Sequence, residues 1–107
     1  MIAFAACVGT PDKLARYAAP GLHRAMEPTS QFAELTTDSS IHTAYNEALD
    51  HFSSYDDLEA LVLLHEDLEL MNEDFCDRVR AAFADPAVAI AGPVGARGVT
   101  GLAWWDC

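Results

Sequence analysis

The side chains best suited to chemistry stand together at His65-Glu66-Asp67, directly after the apolar run Leu61-Val-Leu-Leu64. An imidazole and two carboxylates in a row can hold a hard cation, act as a base, or cap a turn. Oxygen ligands suit Mg²⁺ or Mn²⁺, which also bind substrate phosphates. If the strand continues, His65 and Asp67 point to one side and Glu66 to the other. Loop capping explains the same residues equally well in so acidic a chain. A second cluster, Asp38-Ser-Ser40, precedes a helical pattern. It suits contact with a base or ribose, or ordinary helix capping. Asn46 lies within that helical pattern, where asparagine is a poor helix former, and it could reach a cleft.

Other chemistries find no support. The histidines His23, His42, His51 and His65 show no His-Glu-x-x-His spacing, and no Gly-x-Ser-x-Gly elbow is present. Residues 92–98 are glycine-rich but match neither a phosphate loop nor a dinucleotide fingerprint. Cys7 follows purely apolar residues and reads as a packed thiol.

The elements that must position these residues alternate between two periodicities. Ile2 to Val8 reads as a first strand, and Thr10-Pro11 as a helix start with a hydroxyl cap. Leu14, Tyr17, Ala18 and Leu22 continue that helix until Pro20-Gly21 breaks or kinks it. Gln31 to Thr37 is a weaker second strand. Ile41, Ala44, Tyr45, Ala48, Leu49 and Phe52 then mark one face of a helix. The run before His65 is a third strand, with an apolar stretch that suits burial on both faces. Asn72 caps a further helix with Phe75, Cys76, Val79, Ala82 and Phe83 as its buried stripe. Ala87 to Ala91 is a fourth strand. Strand and helix in alternation predict an α/β fold, Rossmann-like, with a mostly parallel sheet of about four strands covered by helices.

The chain has 107 residues, which bounds it to one domain, and 51% are hydrophobic, enough for a core. A net charge of −11 argues against a nucleic-acid partner, which needs clustered Lys and Arg. It leaves room for a phosphate-bearing ligand if a bound cation supplies the positive charge. No stretch is long and apolar enough for a membrane span. Cys7, Cys76 and Cys107 are widely spaced, without a Cys-x-x-Cys pair, and fit free thiols in a cytoplasmic protein. The pair Trp104-Trp105 in an irregular tail predicts self-association.

Taken together, the apolar first strand, Ser40-Ile-His-Thr-Ala-Tyr-Asn-Glu-Ala48, Leu63-Leu-His-Glu-Asp67, Val88-Ala-Ile-Ala-Gly-Pro-Val-Gly95 and Gly101-Leu-Ala-Trp104 resemble the family-2-like glycosyltransferases. The likeness is to the bacterial branch with His-x-Asp in place of Asp-x-Asp. The resemblance implies the A-type nucleotide-diphospho-sugar transferase fold and a nucleotide-diphosphate sugar as donor. It implies that Asp67 binds the divalent metal and that His65 and Glu66 lie at the nucleotide sugar. Asp38, Asn46 and the backbone around Cys7, Val8 and Gly9 would line the same pocket. In such enzymes the acceptor site and the base come from later sequence. Residues 1–107 therefore correspond to a single donor-binding domain without the acceptor-binding part, and the acceptor is unknown. The alternative is a non-catalytic α/β module that keeps nucleotide-sugar binding or serves as an interaction unit.

Overall fold

The first strand, β1 (Ile2–Cys7), is the middle of the sheet, and its composition is the reason. In the computed structural model, which describes residues 1–36 and 40–92, Ile2, Ala3, Phe4, Ala5 and Ala6 are entirely removed from solvent. A strand without polar side chains on either face belongs in a sheet covered on both sides. β2 (Gln31–Leu35) pairs with one edge of β1 and β3 (Ala60–His65) with the other, both parallel, giving the order β2-β1-β3. The register sets Cys7 opposite Leu35 on one side and His65 on the other.

The two faces of β1 differ in bulk, and the helices follow. Ile2, Phe4, Ala6 and Val8 pack with Ala18, Leu22, Leu64 and Cys76. Fully burying Ile2 and Phe4 stabilises the fold by roughly 1.5–3 kcal/mol each. Leu22 comes from α2 (Ala19–Ala25), and Cys76 from α4 (Phe75–Ala82). The opposite face shows only Ala3 and Ala5, and there Ala48 and Phe52 of α3 (Ile41–Phe52) close the second cluster. Ser40 caps α3, its Oγ accepting the Thr43 N–H at 3.3 Å.

A first turn, α1 (Pro11–Lys13), leads through a π-helical turn at Leu14–Ala18 into α2. The expected break at Pro20-Gly21 does not occur. Pro20 lacks an N–H, and its ring would crowd the carbonyl four residues back in a regular helix. The π turn ends beside it, with the Ala19 N–H donating to the Leu14 carbonyl five residues earlier. This wider turn takes up the misfit, and the helix runs on to Ala25. Gly21 has a separate reason. A Cβ there would overlap the Leu70 backbone nitrogen and stand 3.0 Å from the Leu70 oxygen.

Several expectations need correction. The described residues contain three strands, not about four. Ala87 to Ala91 forms no strand: Val88 N–H closes a turn on the Asp85 carbonyl at 3.0 Å, and Ile90 is 91% exposed. Three of its five residues are alanines, which bury little area to hold the run against a sheet edge. β3 is an edge strand and not buried on both faces, with Leu63 37% exposed. Asn72 does not cap α4, which begins after Asp74, and Ala82 in the expected stripe is exposed. Trp104 and Trp105 lie outside the described residues. No helix of the described residues is long and apolar enough to cross a membrane.

At the amino end of the sheet, Arg80 links α4 to two distant carboxylates. Its Nη2 donates to Glu27 Oε2 at 2.8 Å, and its Nε to Glu59 Oε1 at 2.9 Å. The Met1 ammonium donates to Glu59 Oε2 at 2.8 Å and to the Asp57 carbonyl at 2.6 Å. Hydrogen bonds from Arg80, then from the N-terminal ammonium, lower the Glu59 carboxyl from 4.5 to about 2. Arg80 also lowers Glu27.

Two outcomes follow from this packing. A helical Gly→Ala change normally gains about 1 kcal/mol. At Gly21 the new methyl meets backbone rather than a flexible side chain, so Gly21→Ala should instead destabilise by about 1–3 kcal/mol, measured by urea denaturation. Glu59 contributes to the pH dependence, beside Glu27, which is also lowered. A carboxyl lowered on folding adds stability above its unfolded value and loses it as pH falls through the folded value. The thermal midpoint should therefore drop between pH 4.5 and about 2, and Glu59→Gln should make that drop shallower.

Candidate functional site

Strand order reverses at β1: the chain steps to β2 on one side and returns past β1 to β3 on the other. In open α/β sheets, ligands bind outside the carboxyl ends of strands where such a reversal occurs. The carboxyl ends of β1 and β3 lie side by side there, with Cys7 paired to His65. Cys7, Val8, Gly9, His65, Glu66 and Asp67 are therefore neighbours, although 57 positions separate Gly9 from Glu66. Val8 is buried and its N–H donates to the Leu35 carbonyl at 2.8 Å, while Cys7 is half-buried.

The strand does not continue to Asp67. It ends at His65, and Leu68 N–H donates to the His65 carbonyl at 3.1 Å, so Glu66 and Asp67 are the central residues of a turn. The alternation that set His65 and Asp67 on one side does not extend past the strand. Both are nonetheless exposed, while Glu66 is half-buried. Glu66 Oε2 accepts the Gly9 N–H at 2.9 Å and the Thr10 N–H at 2.8 Å. Thr10 was expected to cap the following helix with its hydroxyl, but makes no such bond. A carboxylate from the turn after β3 instead binds the two amides just ahead of the helix, where negative charge is favoured.

The loop beyond the turn is tied down as well. Arg24 Nη1 donates to the Leu70 carbonyl at 2.6 Å, and its Nη2 lies 3.4 Å from Glu69 Oε1. Leu70 rests on Gly21. From the other face, the Tyr45 hydroxyl donates to the Leu64 carbonyl at 3.2 Å, joining α3 to the end of β3. Burial, and next the nearby Cys7, push the Tyr45 phenol upward. Sequence reasoning missed Tyr45, which bonds to the end of β3, and the hold of Gly21 and Arg24 on Leu70. Tyr45 carried a signal, lying one turn into a helix that starts near the carboxyl end of the sheet.

The remaining candidates fall elsewhere. Asn46 is exposed on α3, on the side away from Ala44 and Ala48, and is not brought to this cluster. Asp38 lies outside the described residues. Among the described residues no three His, Cys, Asp or Glu side chains converge into a preformed metal cage. Mg²⁺ and Mn²⁺ do not require one: Mg²⁺ commonly takes one or two carboxylates and fills its shell with water and substrate phosphates. The exposed Asp67 carboxylate beside His65 fits that mode.

The chain is 32% identical over 106 residues to the streptomycin biosynthesis protein StrF of Streptomyces griseus. The alignment covers 99% of this chain and 37% of that relative, so the chain spans little more than a third of the relative's length. No known family model matches the chain, and no solved structure matches it.

Tyr45→Phe tests the link between α3 and β3. Losing one hydrogen bond to a carbonyl should cost about 0.5–1.5 kcal/mol in urea denaturation and should shift the backbone amide resonances of His65 and Asp67.

Proposed function

We propose that this chain is the donor-binding part of a family-2-like glycosyltransferase, holding a nucleotide-diphosphate sugar together with Mn²⁺ or Mg²⁺. The observation that carries the reading is the placement of His65 and Asp67, both exposed, at the reversal of strand order beside the end of β1. That is where α/β folds of this kind receive nucleotides. Similarity to a streptomycin biosynthesis protein along 99% of the chain accords with a sugar-related role.

Asp67 would hold the cation, with His65 beside it toward the sugar nucleotide. The cation, when bound, would offset charge on the leaving diphosphate. The end of β1 would form one wall of the nucleotide pocket. The acceptor and the base that deprotonates it are not assigned to residues of this chain. A rival reading, a non-catalytic module that keeps donor binding, shares the same site and differs only in turnover.

Calorimetric titration with UDP-, GDP- and dTDP-sugars, with and without Mn²⁺, tests the proposal. Binding should require the metal and weaken at least about tenfold, about 1.4 kcal/mol, in Asp67→Ala. Failure of every nucleotide sugar to bind in the presence of Mn²⁺ would overturn it. Donor binding without hydrolysis or transfer would select the non-catalytic module.

A further inference from the structure

Glu66 sits between the two side chains offered to a ligand, yet its carboxylate is spent inside the protein. One oxygen, Oε2, takes both the Gly9 N–H at 2.9 Å and the Thr10 N–H at 2.8 Å. Successive backbone amides at the entrance to a helix are a preferred seat for an anion. Here the chain fills that seat with its own side chain, and in doing so fastens the turn after β3 to the end of β1. The next fastening comes at Leu70, held by Arg24 at 2.6 Å and packed on Gly21. Asp67 lies between these two anchors, in a turn that is itself closed from Leu68 to His65. An exposed acidic residue on a loop samples many positions. One held on both sides does not.

We propose that Glu66 is a positioning residue: it touches no ligand, and it sets the place of His65 and Asp67 by gripping the amides of Gly9 and Thr10. What His65 and Asp67 then bind rests on the donor-site reading above. The positioning role does not. The distinction from a metal ligand is chemical. Both hydrogen bonds end on one oxygen, and an amide oxygen has two lone pairs. Glu66→Gln can therefore keep the grip while losing the charge. A residue acting through charge on a cation would not survive that change.

The test uses the intact, ¹⁵N-labelled chain as wild type, Glu66→Gln, Glu66→Ala and Asp67→Asn, with Mn²⁺ alone as the probe. In the wild type and Glu66→Gln, the Gly9 and Thr10 amides should exchange slowly. Paramagnetic broadening by Mn²⁺ should centre on His65 and Asp67, with apparent affinities within about threefold of each other. Glu66→Ala should speed exchange at both amides, move the His65 and Asp67 resonances, and weaken Mn²⁺ at least about tenfold (about 1.4 kcal/mol). Loss of Mn²⁺ in Glu66→Gln as complete as in Asp67→Asn would overturn the proposal, because Glu66 would then be a ligand. Unchanged amides and resonances in Glu66→Ala would overturn it equally. If Mn²⁺ broadens nothing in the wild type, the metal reading of Asp67 fails, and the amide comparison still decides the role of Glu66.

Discussion

The fold is arranged around one strand that is removed from water along nearly its whole length. β1 carries no polar side chain from Ile2 to Ala6, so both of its faces must be covered and both of its edges paired. Its alternation of bulk divides the labour. The side with Ile2 and Phe4 offers large apolar surface and gathers Leu22 from α2 and Phe75 from α4, the Phe75 ring 6.1 Å from that of Phe4. The side with Ala3 and Ala5 is nearly flat, and α3 approaches it through residues as small as Ala44 and Ala48. A larger residue on this face would hold α3 away, and with it Tyr45, whose hydroxyl reaches the Leu64 carbonyl near the end of β3.

That consequence connects packing to the site. With β1 in the centre, the ends of β1 and β3 come to lie together, and the connecting loops must meet there without leaving amides unpaired. Gly9 and Thr10 stand just before Pro11 opens the following helix, and their amides need partners from elsewhere in the chain. Glu66 satisfies both. The same side chain that binds the amides ahead of one helix thus ties down the turn that carries Asp67. Packing, helix capping and site geometry are one arrangement at this edge.

Much of this was legible in the sequence, for identifiable reasons. β1, α3 and the strand before His65 were readable because their apolar periodicity is local. The ranking of the strands was not. Leu61 to Leu64 is more hydrophobic than the alanine-rich β1, yet β3 is the edge, since burial depends on strand order and hydropathy does not encode it. Ala87 to Ala91 read as a strand on apolarity alone, where pairing is what makes one. His65 and Asp67 were singled out by residue type, while the direction of Glu66 was not legible. Its partners lie 56 and 57 positions away, and the parity argument assumed a strand that in fact ends at His65. Gly21 made sense only once Leu70 was seen resting on it. The pattern is physical: local periodicity reports elements, and contacts between chain ends report sites.

The two ends of the sheet handle charge in opposite ways, and this bears on what the carboxyl end can bind. At the amino end, Arg80 and the Met1 ammonium are met by Glu27 and Glu59, so the charges are compensated within the protein. At the carboxyl end, the amides of Gly9 and Thr10 are committed to Glu66. Those two amides, which would ordinarily greet an anion, are already in use, and the exposed carboxylate of Asp67 adds negative charge. A diphosphate approaching this edge meets repulsion unless something positive arrives with it. A divalent cation on Asp67 reverses the local sign and offers open coordination positions to phosphate oxygens. On the donor-site reading proposed above, a phosphate-bearing ligand and a metal would bind here as a pair.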